Sequence, residues 1–527
     1  MTSAARNANL FAALRDAFPG DLHGVAIETI ESGLVYTWRD LERATAMFAN
    51  LLDSLDLPAA SRIAVQVEKS VESLLFYLAV LRAGHVYLPL NTAYKSDEIG
   101  YFIGDAEPAV FVCAPKDFVW ASRLAFAAGT SFVFTLGDDR SGSLLERATH
   151  FADSHTPALR ASDDLAAILY TSGTTGRSKG AMLTHGNLLS NAVTLKSYWG
   201  WRTPAEGGDV LIHALPIFHV HGLFVASHGA LLNGSRMIWF SRFDAKAVVD
   251  RLRDATVFMG VPTLYVRLLA EPSLTREACA TMRLFISGSA PLLLETFEQF
   301  RQRTGHTILE RYGMSETVML TSNPYEPGDG ERRGGTVGFP LPGVGLRIVD
   351  GDGAVLPQGT VGAIEVRGPN VFAGYWRMPE KTRAEFSADG WFRTGDVGQI
   401  DANGRVRIVG RSKDLVISGG YNVYPAEIEG FLNDMPGVAE SAVIGVPHAD
   451  FGEAVVAIVV ARPEVRPDPA ALIAGLKARI ANFKVPKQIF VVDELPRNTM
   501  GKVQKNLLRE QHNALFGAPS GSGAGPS

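Results

Sequence analysis

The stretch RIAVQVEKSVESLLFYLAVLRAGHVYLPL, residues 62–90, decides the architecture of most of the chain. Residues 63–67 form an apolar run, residues 70–82 follow with amphipathic helical spacing, and residues 86–90 return to an apolar run. This is strand, crossover helix, strand, and a helical crossover leaves its two strands parallel. A further run at 109–113 continues the rhythm, which recurs at 131–136, 165–170, 210–214, 236–240, 257–259 and 284–287. Runs apolar on both faces belong to parallel strands covered on both sides. The expected fold class is therefore α/β, a large N-terminal domain of doubly wound sheets.

After Tyr312 the texture changes. Gly334, Gly335, Gly338, Pro340, Pro342, Gly343 and Gly345 crowd together and the strands shorten, as at 346–349 and 363–367, which predicts a small β-barrel or hairpin sheet. A second shift comes at 410–414, where a basic turn precedes residues 415–417 and the pair Gly419, Gly420. A linker is expected there. Beyond it a helix after Pro425, strands at 439–444 and 454–461, a helix at 470–482 and a strand at 488–492 predict a smaller α+β C-terminal domain. The expected organisation is 1–412, then 413–516 as a mobile domain, then 517–527, a flexible tail of Gly, Ala, Pro and Ser only.

Composition narrows the partners. A length of 527 residues implies several folding units, at roughly 150 residues each. The 50 Lys+Arg against 55 Asp+Glu leave a net charge of −5, which supplies no field for a phosphate polymer or an anionic bilayer, so neither nucleic acid nor membrane is expected. Cys113 and Cys279 are too far apart in sequence for a zinc cluster and sit among apolar or small residues. The longest apolar runs, 74–81 and 454–461, fall far short of the ~20 residues a bilayer span needs. Arg15 and Asp16 interrupt any secretory pattern, and a cytoplasmic protein is expected.

Residues 170–180 read YTSGTTGRSKG, a strand that ends in glycines and hydroxyl residues and closes on Lys179. Such a loop can aim backbone N–H groups, hydroxyls and one ammonium at phosphate oxygens. Its spacing does not match G-x-x-x-x-G-K-[ST], which excludes a P-loop NTPase. With YGMSET at 312–317, FRTGD at 392–396, GRSKDLVISGGYNVYPAEIE at 410–429 and PRNTMGK at 496–502, this loop resembles the ordered motif set of the adenylate-forming acyl-CoA synthetases. The resemblance spans about residues 10–513. It implies an acid–thiol ligase that uses ATP, Mg²⁺ and coenzyme A, and whose C-terminal domain turns between two half-reactions.

Mapped by motif, the resemblance assigns Thr171, Ser172, Gly173, Thr174, Thr175 and Lys179 to the ATP phosphates. Tyr312 offers a face to adenine, with Ser289, Ala290 and Pro291 as the other wall of the slot and Arg311 beside it; Gly313 and Met314 belong to the same ATP-binding motif. Glu316 offers a hard oxygen for Mg²⁺, and Ser315 and Thr317 offer hydroxyls to the α-phosphate. Asp396 accepts the ribose hydroxyls with Arg411 completing the clamp. Lys502 meets the reacting carboxylate and the bridging oxygen of ATP, where negative charge accumulates, and is the implied target of an acyltransferase. Lys413 is the implied hinge. Gly419 and Gly420 are the implied walls of the CoA tunnel, where a missing Cβ admits a thin pantetheine arm.

Taken singly, these residues also have plain readings. Glu316 suits a solvated first turn, Asp396 a turn Asp-Gly pair, and Lys502 a solvated surface. For the acid itself, the helix beginning at 261–262, VPTLYVRLLAE, carries Arg267 among apolar neighbours. Periodicity places Thr263, Arg267 and Glu271 on one wet stripe with an Arg–Glu pair. A guanidinium in an acyl pocket, by contrast, suits a second carboxylate. Together with PIFHVHGLF at 216–224 and ISGSAPL at 286–292, the wording is similar to the malonate-activating members of the family. Arg267 and Ser289, with His219 nearby and Arg283 as a further candidate, are the residues expected at the distal carboxylate. The alternatives are a ligase for short, medium-chain or aryl monocarboxylates, a module loading a carrier protein, and a catalytically inert nucleotide binder.

Overall fold

A computed structural model describes residues 7–171, 178–418, 421–448, 450–463, 465–498 and 501–516, the side chain of Asn422 apart. Ser172, Gly173, Thr174, Thr175, Gly419 and Gly420, all expected at the site, lie outside the described residues. The chain divides into two units, one of Met1–Leu346 with Val366–Phe392 and one of Arg347–Glu365 with Arg393–Ser527.

The larger unit holds two sheets. The first orders its seven strands as Gly374–Tyr375, Lys179–Thr184, Leu165–Thr171, Val86–Pro89, Arg62–Gln66, Val110–Cys113 and Phe132–Thr135. Arg62–Gln66 runs parallel to both Val86–Pro89 and Val110–Cys113, the crossover arrangement read from residues 62–90. The second has nine strands, with Leu309–Met314, Leu284–Ser287, Val257–Gly260, Val210–His213 and Arg236–Trp239 parallel at its centre. Both sheets are mixed, because hairpins reverse the chain at 165–184 and 309–322. Those reversals carry the first two motifs.

The helix Val71–Arg82 departs from expectation in one respect. Ser70 caps it with a reciprocal bond to Ser73, as its sequence suggests, yet every residue from Val71 to Arg82 is buried, so it presents no wet face. Its two charges are matched internally: Arg82 binds Glu42 at 3.0 Å and Thr45 at 2.9 Å, and Glu72 accepts from Tyr36 at 2.6 Å and pairs with Arg140 at 2.9 Å. Periodicity read these charges as solvent-facing. Helices Leu10–Asp16 and Trp38–Asp53 pack over the face that carries them.

The second unit contains a four-stranded sheet, Gly345–Val349, Gly362–Arg367, Phe392–Ile400 and Val406–Arg411, and a five-stranded one built on the hairpin Val438–His448 and Gly452–Ala461. The small sheet thus groups with the C-terminal residues, whereas the sequence grouped it with 1–412. The long apolar runs of the second hairpin have a direct cause. Val443, Val455, Ala457 and Val459 pack on one face with helices Pro425–Asn433 and Pro469–Lys477, while Ala442, Ile444, Val456 and Ile458 pack on the other with Leu495 and Leu508. Both faces of this sheet are covered, so alternation with polar residues is absent. No helix among the described residues is long and apolar enough to cross a membrane.

Candidate active site

In the larger unit the YGMSET motif folds as the turn of the hairpin Leu309–Met314 and Val318–Ser322. The turn is tight enough to exclude a side chain at 313, where a Cβ would stand 1.9 Å from the Val318 carbonyl oxygen. It also forces Val318, a β-branched residue, to a φ of 55°. Such strain persists only where surrounding contacts impose it. Here they do: Asn370 donates to the Thr317 and Met319 carbonyls at 2.7 and 2.9 Å, and the Glu316 carbonyl accepts from Phe372 N–H at 2.8 Å.

Held this way, Glu316 is buried and its carboxylate accepts from the Tyr375 hydroxyl at 3.0 Å. Thr317 is fully buried and its Oγ1 has no hydrogen-bond partner among the described residues. Lys179, at the start of the second strand of the other hairpin, stands 4.3 Å over the Tyr375 ring and 3.6 Å from Glu385. One tyrosine therefore joins the ammonium of the first motif to the carboxylate of the second. Tyr375 gave no signal in the sequence, because it belongs to a strand of two residues paired with Ala181 and Met182. Thr171 faces Lys179 across the hairpin, and Tyr312, Gly313, Met314 and Ser315 are all half-buried along the other.

The residues expected around the acid separate into three environments. Arg267 lies on the helix Pro262–Ala270, with Pro262 in its first turn; Leu264, Tyr265 and Leu268 face inward, and Arg267 is exposed beside Val266. It has no hydrogen bond or ion pair with a described residue. The pair with Glu271 allowed by the spacing does not form, since Glu271 is already extended at a ψ of 119° and the helical i,i+4 geometry is lost. Arg283 is a correction to the sequence reading. Its guanidinium takes both oxygens of Asp209 at 2.8 and 2.5 Å and the Trp199 carbonyl at 3.1 Å, so its charge is spent within the chain and not on a ligand. Burial alone would push the Asp209 carboxyl up, but Arg283, the Arg202 N–H and the Thr256 hydroxyl hold it below the usual range.

Ser289 is the third case. The turn after Leu284–Ser287 sets it at a φ of 72°, with Ala290 half-buried and Pro291 exposed beyond it. Its Oγ lies 3.4 Å from Nδ1 of His221, a buried residue that opens the π-helix His221–Ser227. His219 presents Nδ1 to the His221 N–H at 3.3 Å. Arg311 is buried against this turn: a Cβ at 288 would fall 2.5 Å from its Cζ and 2.5 Å from its Nη1. Burial first, then the charge of Arg311, pushes the His221 imidazole well down, so it stays neutral.

In the second unit Asp396 and Arg411 face each other across the hairpin Phe392–Ile400 and Val406–Arg411, with Arg411 Nε 2.9 Å from the buried Asp396 carboxylate. The two are brought together as expected of one clamp. Lys413 sits in an exposed single turn, Ser412–Asp414, whose Asp414 pairs with Arg509 at 2.6 Å. Lys502 is exposed on a loop closed by the Arg497–Val503 bridge, where Asn498 Oδ1 accepts from the Lys502 N–H at 2.9 Å and Gly501 adopts a φ of 74°. Arg497 stiffens the same loop through Glu440 and the Gly501 carbonyl.

The chain matches known proteins along most of its length. The AMP-binding enzyme family matches residues 21–376, and the AMP-binding enzyme C-terminal domain matches residues 427–502. The ATP-bound crystal structure of MatB from Rhodopseudomonas palustris is 55% identical, covers 97% of this chain and 100% of its own, and superposes with a TM-score of 0.93. The malonate–CoA ligase of Arabidopsis thaliana is 34% identical over 85% of this chain and 78% of its own length. A feruloyl-CoA synthase of an Amycolatopsis species is also 34% identical, over 93% and 96%. Identity to these two ligases is equal, so the choice of acid turns on side chains in the site.

Proposed function

The chain belongs to the AMP-binding enzyme family, and we propose that it is the member that ligates malonate to coenzyme A. It is an ATP-dependent, AMP-forming acid–thiol ligase working through an acyl-adenylate. A malonate oxygen attacks the α-phosphorus of ATP and pyrophosphate leaves; the thiol of coenzyme A then attacks the acyl carbonyl and AMP leaves. No enzyme thiol takes part in this scheme. Both cysteines are buried, and burial pushes each thiol up to about 12, which removes the nucleophilic thiolate.

In this proposal Glu316, fixed by Tyr375, is the residue that holds Mg²⁺, which offsets charge on the ATP phosphates. Thr317 offers its unpartnered hydroxyl to the α-phosphate, and Lys179 with Thr171 serves the outer phosphates. Asp396 and Arg411 take the ribose. Lys502 supplies a cation to the oxygen on which charge develops, a contribution larger in the transition state than in the ground state. Arg267 and Ser289 receive the distal carboxylate. The observation that carries malonate over an aryl or fatty acid is polar: a serine hydroxyl, an imidazole and an arginine meet at the 288–289 turn, where an apolar acid would require an apolar wall.

The test is pyrophosphate release, with coenzyme A present, for acetate, butyrate, malonate, methylmalonate, succinate and cinnamate. Malonate is expected to lead by at least about 100-fold in kcat/KM over butyrate, the scale of a satisfied buried charge pair. Arg267→Ala is expected to erode that lead. A wild type that uses butyrate as well as malonate withdraws the dicarboxylate reading and leaves the ligase.

A further inference from the structure

We infer that Lys69 and His213 are positioning residues of this ligase, tying together the two ends of the segment 213–227 and so fixing where His221 meets Ser289. The inference rests on the dicarboxylate reading above and concerns what holds that wall in place, not a further contact with the acid.

Lys69 follows the strand Arg62–Gln66 of the seven-stranded sheet, yet its ammonium is spent on the nine-stranded one. It donates to the carbonyls of His213 and Phe240 at 2.8 and 2.7 Å, at the carboxyl ends of the parallel strands Val210–His213 and Arg236–Trp239. Its third donor meets His213 Nδ1 at 3.0 Å. The Trp239 ring lies 4.2 Å from the ammonium and stacks on the His213 ring at 4.6 Å. All three donors therefore go to neutral acceptors, and two of the three belong to His213.

His213 carries the tie onward. It is buried, and its Nε2 stands 3.0 Å from both the Gly222 carbonyl and the Ser227 hydroxyl. A carbonyl only accepts, so Nε2 bears the hydrogen and Nδ1 is left to accept from Lys69. Burial first, then the charge of Lys69, holds the imidazole well below its ordinary value and keeps it neutral. One ring at the entry of the segment thus binds the π-helix His221–Ser227 at its exit. The segment has no slack: a Cβ at 222 would fall 2.1 Å from the Pro216 carbonyl oxygen, and the Ser227 hydroxyl donates to the Gly222 carbonyl at 2.9 Å. A π-helix is rare and concentrates at functional sites. Here the tie sets its first residue, His221, 3.4 Å from Ser289 Oγ, with His219 Nδ1 on the His221 N–H at 3.3 Å. The hairpin that carries Glu316 takes its support elsewhere, from Asn370 and Phe372, so the acid wall can shift without the nucleotide side.

The experiment measures KM for malonate, KM for ATP and kcat on wild type, Lys69→Met, Ser227→Ala, His221→Ala and the double variant Lys69→Met/His221→Ala, with butyrate as the comparison acid. Lys69→Met is expected to raise KM for malonate by about 10-fold while KM for ATP stays level, the mark of a lost positioning bond on the acid side alone. Ser227→Ala, which removes one hydroxyl and leaves the ring, is expected to act in the same direction by a few-fold. Because the tie works through His221, Lys69→Met added to His221→Ala is expected to change KM for malonate no further. A tie that serves only the framework would lower kcat and melting temperature and leave both KM values where they were; that result, or full additivity in the double variant, overturns the inference. If Lys69→Met does not fold, Ser227→Ala decides: an unchanged KM for malonate overturns the inference. A wild type that uses butyrate as readily as malonate overturns the dicarboxylate reading instead, an outcome read before any variant is made.

Discussion

Arg283 and Arg311 are both buried arginines of the larger unit, and they meet opposite fates. Arg283 closes on Asp209 with two hydrogen bonds and gives a third to Trp199, so every part of its charge has an internal answer. Arg311 packs against glycine, tyrosine and histidine, with two donors unanswered. Burial is what they share, and it does not tell a framework charge from a site charge. Satisfaction does. A fold that seals a matched ion pair uses it as a strut, and one that seals an unmatched cation has left room for something it lacks.

The sharpest way to break this contrast is to cut the strut. Arg283→Met leaves Asp209, which is completely buried, without its counter-charge, and removing one partner of a buried pair costs about 3–5 kcal/mol. Denaturant unfolding should show a loss of that size, with the substrate preference of the surviving folded enzyme unchanged. A loss of malonate preference at constant stability would place Arg283 in the site after all.

Next comes the exposed cation of the second unit. Lys502→Ala should lower adenylation, read as malonate-dependent exchange of pyrophosphate into ATP, by about 100-fold or more, the usual cost of one charge-stabilising group. Thioester formation from preformed malonyl-AMP should be largely kept, and Nε-acylation should reproduce the effect. Equal loss in both half-reactions would show that the Arg497–Val503 loop serves some other purpose.

How much of this was legible beforehand follows from the range of the interactions involved. The crossover rhythm of 62–90 and the motif turns are local, and residues 312–317, 396, 411 and 502 stand on hairpins and loops. The double burial of Val71–Arg82 was hidden, because amphipathic spacing reports charges and not the partners that bury them. The role of Tyr375 was hidden by its strand of two residues, whose pairing partner lies some 190 positions earlier. Gly288 stood unremarked within ISGSAPL. Only the fold shows that its missing Cβ is the cradle for a guanidinium 23 residues further on.

A smaller effect concerns acidity. His85 and His185 are pushed down to about 4 and His228 to about 3 by burial, and His213 and His221 are lowered as well. A histidine whose folded pKa is depressed stays neutral in the fold while the unfolded chain takes up its proton. Stability is therefore full above about 6.5 and is lost as pH falls below that value towards about 4. Glu310 has the opposite sign: raised to about 8, it holds a proton that the unfolded chain releases, so stability is lost as pH rises from about 4.5 through 8. The lowered imidazoles outnumber the one raised carboxyl, so the melting temperature should fall as pH drops from about 6.5 towards 4. A melting temperature that holds level over that range would contradict the neutral burial of these histidines.

The smallest expected change tests the contrast at its finest grain. Tyr375→Phe keeps the ring on which Lys179 stacks at 4.3 Å and removes only the hydroxyl 3.0 Å from Glu316. If Glu316 is a ligand held ready, losing one neutral-to-charged hydrogen bond of about 1.5–3 kcal/mol should loosen the carboxylate. The visible result is a rise in the Mg²⁺ concentration that half-saturates ATP-dependent turnover, by roughly 10-fold, with little change at saturating metal. If Glu316 were a matched framework charge like Asp209, the same substitution would lower stability and leave the Mg²⁺ titration where it was. The direction in which Tyr375→Phe acts thus assigns Glu316 to one side or the other of the division that separates Arg283 from Arg311.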